Sequence, residues 1–236
     1  MKIILFGYGK MGKAIEKIAI ERHHEILLKI DRSNKDTINL EDFKNADVVI
    51  EFTKPEIAFE NVSKILNAGL SLVCGTTGWN QNFKEAENIA LQNNTSFIHA
   101  SNFSIGVNLF FEINKLTAKM MQQHSEYTVS VEETHHTQKL DAPSGTAITI
   151  AEQILESYTE KNGWSLNPKD NELSITSHRI DNIPGTHNVK YSSNIDEIEL
   201  IHTAHSRDGF ALGAVIAAEY IHNKKGIFTM RDVLFS

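Results

Sequence analysis

The chain opens with a strand pattern. Ile3–Phe6 is a short β-branched and aromatic run closed at once by Gly7, as expected of a strand buried on both faces. Lys13–Arg22 then places Ala14, Ile15, Ile18 and Ala19 at helical spacing. Glu25–Asp31 and Ala46–Thr53 read as the second and third strands. Thr53-Lys54-Pro55-Glu56 has the form of a capping box with proline in the first turn, and predicts a helix running to Ala68 with Gly69 as its C-cap. Leu70–Cys74 is a fourth strand, Asn82–Gln92 a helix and Ser96–Ala100 a fifth strand. Such alternation predicts an α/β fold built on a doubly wound parallel sheet.

After the fifth strand the texture changes. Ile105–His124 is a long amphipathic helix, Glu126–His136 alternates like a half-buried strand, and Ser144–Tyr158 is helical. Leu173–Ile180, Val189–Ser193 and Ile195–His205 are strands with little helix between them, and Leu212–Asn223 is a last helix. Clustered strands predict an antiparallel or mixed sheet, and so a second, α+β domain.

Composition changes this picture little. The 236 residues are 41% hydrophobic and 22% charged, an ordinary globular balance with length for two modest domains. The net charge of −7 and the absence of a basic run argue against a nucleic-acid partner. No segment approaches the roughly 20 apolar residues of a membrane span. The run Ile3–Phe6 is too short for a signal-peptide core, and Cys74 is the only cysteine, so a cytoplasmic protein is expected.

Candidate chemistry starts at "GYGKMG", Gly7, Tyr8, Gly9, Lys10, Met11 and Gly12. A G-x-G-x-x-G pattern means little alone, but here a strand precedes it and a helix follows. Gly7 permits the tight turn, Gly9 lets backbone approach a pyrophosphate, and Gly12 lets the helix pack on the strand. The helix start offers free N–H groups and a positive dipole end to phosphates. Asp31, about 20 residues on, can accept from ribose hydroxyls, and Arg32 can pair with a 2′-phosphate. Use of both NADH and NADPH is expected. The sheet's carboxyl edge should also carry Phe52 and Thr53 after the third strand, Gly75, Thr76 and Thr77 after the fourth, and Ala100, Ser101, Asn102 and Phe103 after the fifth.

The densest stretch is "EETHHTQKLDAPSGTA", Glu132–Ala147. His135 and His136 are adjacent on a strand and face opposite sides, so they do not chelate one metal, and neither His202 nor His205 completes a metal pattern with them. No metal is expected. Acid–base chemistry remains: histidine titrates near neutrality, and a lysine such as Lys139 can donate a proton. Ser144, Gly145 and Thr146 open a helix whose hydroxyls and N–H groups suit a carboxylate.

This stretch closely resembles the signature of the 4-hydroxy-tetrahydrodipicolinate reductase (dihydrodipicolinate reductase) family. "GYGKMG", "EFTKPE", "CGTTGW", "ASNFSIGVN", "GTHNV", "HTAHSRDGFALGAV" and "GIFTMRDVL" resemble its other segments in order. The resemblance implies a Rossmann-type dinucleotide domain from residues 1–104 and 209–236. It implies a substrate-binding and oligomerisation domain over 105–208. The implied reaction is NAD(P)H-dependent reduction of a small cyclic dicarboxylate in lysine and diaminopimelate biosynthesis, by a homotetramer. Lys139 would be the proton donor and His135 its acid–base partner, with His136, Lys139, Ser144, Gly145 and Thr146 holding the substrate carboxylates. The chain is shorter than most members after Arg32 and between Tyr158 and Leu173, and the first gap leaves the cofactor preference open. An aspartate- or diaminopimelate-type dehydrogenase would share the glycine loop but lack the His-His-Lys cluster. A dinucleotide-sensing regulator would add a binding module, and none is visible.

Overall fold

The computed structural model describes residues 1–34 and 39–236. The chain forms two compact units, Met1–Ile105 with Arg207–Ser236, and Gly106–Ser206.

The first unit is a six-stranded sheet of β1 (Lys2–Phe6), β2 (Glu25–Ile30), β3 (Val48–Glu51), β4 (Ser71–Cys74), β5 (Ser96–His99) and β11 (Gly226–Phe228). Its strand order is β11-β5-β4-β3-β1-β2, and every pair is parallel. Strand order therefore reverses at β1, the switch point beside which such sheets place their ligands. Along β1, Ile3 and Leu5 join one buried cluster while Ile4 and Phe6 join another, so the continuous apolar run covers both faces. The Ile3–Leu5 face is covered by α1 (Lys10–Glu21) and α6 (Asp208–Ile221), through Ile15, Ala19, Ala214 and Ala218. The other is covered by α2 (Pro55–Asn67) and α3 (Phe83–Gln92), through Ala58, Val62, Ala86 and Ala90.

Several boundaries depart from expectation. Helix α1 begins at Lys10, inside the glycine loop. The capping box at Thr53 does not form. Lys54 is the N-cap of α2 without a side-chain cap, because the Thr53 hydroxyl donates to Glu51. Pro55 does take the first helical position, and Gly69 follows the helix with φ of +75°. The C-terminal β11 and α7 (Met230–Phe235) were not foreseen. Of the short connection after Arg32, residues 35–38 lie outside the described residues.

The second unit packs α4 (Ile105–Met121) and α5 (Gly145–Leu155) on a mixed sheet of order β10-β9-β6-β8-β7. The strands are β6 (Thr128–His135), β7 (Gly163–Ser165), β8 (Glu172–Arg179), β9 (Gly185–Ser192) and β10 (Glu197–Ala204). Val129, Val131, Leu173, Ile175, Val189 and Tyr191 point inward against Phe110, Ala118, Ile150 and Ile154 of the helices. The same inward face turns polar toward one end, where this unit's candidate residues lie.

Candidate active site

In the first unit, the loops at the carboxyl ends of the strands are locked together by close contacts. A Cβ at Gly7 would lie 2.0 Å from the Phe52 carbonyl oxygen, and φ there is +109°, so glycine is required. A Cβ at Gly12 would lie 2.5 Å from the Gly7 carbonyl oxygen, so α1 passes close over the loop that follows β1. At Gly9, among the described residues, no atom beyond its own chain neighbours lies within 4 Å of the position a Cβ would take. Gly9 is also the N-cap of α1, whose first turn carries no side-chain cap and no acidic residue. This is an open cradle under an uncapped helix start, which fits a dinucleotide pyrophosphate.

The other cofactor candidates divide. Tyr8 and Met11 face inward: the Tyr8 hydroxyl bonds Glu16, and Met11 packs against the core. Lys10 is exposed. Asp31, just past β2, accepts from the Ser33 N–H at 2.7 Å and the Ser33 hydroxyl at 2.6 Å, and those bonds hold its carboxyl below its ordinary range. Arg32 beside it is exposed. The Phe52 ring occupies the place a Cβ at Gly75 would need, 2.1 Å away, and packs on Phe103 with centroids 5.9 Å apart. The Thr53 N–H donates to the Thr76 hydroxyl at 2.7 Å. The Thr76 carbonyl accepts from Trp79 Nε1 at 2.7 Å and His99 Nε2 at 3.0 Å. Thr77 and Ser101 are exposed, Ala100 is half-buried, and the Asn102 side-chain Oδ1 accepts from the Ser104 N–H at 2.8 Å.

Beneath these loops lies a residue the sequence reading missed. Glu51 is fully buried at the end of β3, and Cys74 Sγ lies 3.1 Å from its Oε2. Burial raises its pKa, against the lowering effect of neutral partners such as Thr53, Cys74 and Thr76.

In the second unit, strand register builds a polar patch. Val129 and Val131 face inward from β6, and period two brings Glu133 and His135 to the same face. Glu133 pairs with His187 of β9 and Ser177 of β8, while His135 pairs with Arg179. His202 of β10 lies opposite His187. Gly185 makes room for the His135 ring, since a Cβ there would lie 2.8 Å from it.

His135 Nδ1 donates to the Pro184 carbonyl at 3.2 Å. Its Nε2 lies 3.4 Å from both Glu133 Oε2 and His187 Nε2. His187 Nε2 lies 3.3 Å from the Ser144 Oγ. Burial, then the neighbouring His135, drives His187 down to about 3, so it is neutral. Burial would push Glu133 up, but bonds from His135, Ser144 and Ser177 outweigh it and hold the carboxyl far below its usual range. Glu133, His135 and His187 place possible metal-ligand atoms within 4.8 Å of one another, a grouping the sequence reading did not consider. The carboxylate's oxygens already accept from Ser144, Ser177 and Arg179, however.

His136 sits just past β6, with Nδ1 buried and lacking a hydrogen-bond partner among the described residues. Lys139 Nζ donates to both oxygens of Asp141, at 2.9 and 2.8 Å. Ser144 is the N-cap of α5, its Oγ accepting from the Ala147 N–H at 3.2 Å. The Ser144 Oγ is thus engaged in the cap and beside His187, while Gly145 is exposed and Thr146 half-buried at the helix mouth.

A dinucleotide cradle on a doubly wound sheet, with a His-His-Lys loop at a helix start in a second unit, defines a two-unit NAD(P)H-dependent oxidoreductase. The N-terminal family profile of dihydrodipicolinate reductase matches residues 1–103, and its C-terminal profile matches residues 106–234. The chain belongs to the dihydrodipicolinate reductase family. It is 51% identical over 235 residues to the 4-hydroxy-tetrahydrodipicolinate reductase of Christiangramia forsetii, covering 99% of this chain and 98% of that one. It is 41% identical over 196 residues to the Methanococcoides burtonii enzyme of the same name, covering 80% and 73%. Among solved structures, the dipicolinate-bound dihydrodipicolinate reductase of Paenisporosarcina sp. TG-14 shares the fold, with a TM-score of 0.80 at 23% identity over 97% of each chain. An amine dehydrogenase from Mycobacterium smegmatis shares it less closely, with a TM-score of 0.60 at 10% identity over 98% and 95%.

Proposed function

We propose that this chain reduces 4-hydroxy-tetrahydrodipicolinate, or its dehydrated form, to tetrahydrodipicolinate in diaminopimelate and lysine biosynthesis, with Lys139 as proton donor. When bound, NADH or NADPH supplies a hydride to C4 of the ring. Gly9 and the first turn of α1 would hold its pyrophosphate, and Asp31 with Arg32 its adenosine ribose. The loops of Thr53, Thr76 and Asn102 would border the nicotinamide. Residues 1–104 and 209–236 thus serve as the dinucleotide domain, and 105–208 as the substrate domain.

The observation that carries the reading is the convergence of cationic and N–H donors on one short segment. His136 offers an unpartnered ring nitrogen, Lys139 an ammonium, and α5 its exposed first turn at Gly145 and Thr146. A dicarboxylate needs such donors, and protonating C3 needs an acid close by. In the resting protein Asp141 occupies the Lys139 ammonium, so a substrate carboxylate binds by replacing one carboxylate with another. His135 acts behind this front as acid–base partner, both its ring nitrogens facing interior groups. We further infer a cytoplasmic homotetramer assembled through the second unit's sheet. Among the described residues no helix is long and apolar enough to cross a membrane. The outward face of β10 leaves Ile201 57% exposed, an apolar surface that assembly would cover.

The test is direct. The protein is mixed with NADH and the freshly made aldol product of pyruvate and aspartate semialdehyde, and nicotinamide absorbance is followed. Loss of absorbance that needs both enzyme and aldol product is expected; a flat trace with NADH and with NADPH sinks the reading.

A further inference from the structure

We propose that Glu133 is the positioning residue of this site, its buried carboxylate fixing the His135 ring, the start of α5 and, through Arg179, the loop that carries Lys139. The proposal rests on the reading of the site given above and assigns a residue that the reading does not use.

Glu133 sits on the central strand of the sheet and is wholly enclosed, so it cannot touch substrate and must act through its neighbours. A carboxylate in that position persists only if donors surround it. The donors come from separate parts of the unit. The Ser144 N–H, at the entry to α5, donates to both oxygens at 3.1 Å. The Ser177 hydroxyl on β8 donates to Oε1 at 2.8 Å. Arg179 Nη2, two residues on, donates to Oε1 at 3.2 Å. His135 Nε2 faces Oε2 at 3.4 Å.

Arg179 extends the hold outward. Its Nη2 also donates to the Asp141 carbonyl at 2.6 Å, and its Nε to the Lys139 carbonyl at 3.3 Å. The backbone that aims Lys139 is thus bolted to Arg179, Arg179 to Glu133, and Glu133 to the first turn of α5. One carboxylate sets the spacing between the proton donor and the helix start that receives the substrate. Glutamate is specifically required. Glutamine would replace one acceptor with an NH₂ that meets other donors, and aspartate would fall one methylene short.

The experiment compares full-length wild type with Glu133→Gln and Glu133→Asp. It measures kcat, KM for the dicarboxylate, the pH profile of kcat, NADH affinity, and amide exchange over residues 136–147. The titratable and charged groups facing Glu133 are His135 on its own strand, His187 on β9 and Arg179 on β8, with Lys139 and Asp141 beyond, so the pH profile reports on this cluster. For Glu133→Gln a loss of about 10²-fold in kcat is expected, the size of an ångström-scale misplacement. A higher KM, an altered pH profile and faster exchange at Ser144 and Lys139 should accompany it, with NADH affinity unchanged. Glu133→Asp should recover part of kcat. A folded Glu133→Gln with wild-type kcat and pH profile overturns the proposal. So does a variant that melts earlier but keeps kcat and amide exchange, since that role is merely structural. If Glu133→Gln does not fold, Arg179→Lys is judged by the same criteria. If the wild type itself does not turn over the dicarboxylate, the functional reading has failed. Amide exchange then decides the positioning claim alone: faster exchange over 136–147 upholds it, and unchanged exchange overturns it.

Discussion

Lys139 presents its ammonium to both oxygens of Asp141, yet Asp141 is itself largely exposed. An ion pair so open to water contributes little stability, and an incoming carboxylate can displace it. Lys139→Met keeps most of the apolar stem and deletes the proton. With the backbone at 139 still anchored by the Arg179 guanidinium, the fold should survive. Removal of such an acid costs about 10²–10⁴-fold in rate. We expect kcat for the dicarboxylate to fall in that range while NADH binding, measured by fluorescence, stays at the wild-type value. A folded Lys139→Met with near wild-type kcat excludes Lys139 as the donor.

At the scale of elements, one helix depends on one missing side chain. Helix α6 packs on the loop after β5, and a Cβ at Gly213 would lie 1.7 Å from the Phe103 carbonyl oxygen. Backbone cannot give way as a flexible side chain can. Gly213→Ala should therefore cost about 1–3 kcal/mol, the usual range for overpacking. The check is urea unfolding, with the midpoint lowered and the slope unchanged; an unmoved midpoint shows that the helix re-seats freely. The same glycine shows where sequence reading stops. "HSRDGFALGAV" gives helical spacing, but nothing in it says which carbonyl Gly213 must clear. Long periodic elements were legible because β1, β3 and β4 are largely apolar buried runs and the long helices carry apolar stripes. Strands β7 and β11 have three residues each, too few to show a period. The misplaced cap at Thr53 has a local cause: Glu51 competes for its hydroxyl, and a buried glutamate on β3 was not foreseen. In the site, "GYGKMG" and "HHTQK" are contiguous and could be read directly. Glu133, Ser177, Arg179 and His187 come together only through the register of β6 with β8 and β9, which pairs residues 44 to 54 positions apart and leaves no local trace. One signal was available: in "VEETH", period two carries the apolar face of Val129 and Val131 straight into Glu133 and His135.

Across the whole molecule, the two buried glutamates respond to pH in opposite senses. Both Glu51 and Glu133 are essentially inaccessible to water. Glu51 meets hydroxyl, thiol and amide groups, and burial wins, raising its pKa. At Glu133 burial also pushes upward, but bonds from His135, Ser144 and Ser177 outweigh it and lower the pKa. A raised carboxyl stabilises the fold below the unfolded value and loses that contribution as pH rises through the folded one. A lowered carboxyl does the reverse, so Glu133 stabilises above about 4.5 and weakens the fold as pH falls below it. His187 acts in the same direction at higher pH. Its folded pKa of about 3 lies under the ordinary 6.5, so the unfolded chain binds the extra proton anywhere between. Stability must then fall as pH drops from 6.5 toward 3, by on the order of 4 kcal/mol for a shift of this size. His99 and His202, also lowered by burial, add to the same slope. Urea unfolding of the wild type from pH 7 to pH 4 should show stability decreasing from near 6.5, above the ordinary carboxyl range, with the raised Glu51 carboxyl offsetting part of the fall. His187→Gln removes the largest histidine contribution and leaves His99, His202 and Glu133 in place. Its stability should therefore fall less steeply all the way from 6.5 to about 3, and most cleanly in the upper window from 6.5 to 4.5, before Glu133 adds the same slope to both proteins. If wild type and His187→Gln run parallel through the upper window, His187 is not held neutral in the fold, and the ring that backs Ser144 and His135 carries a charge.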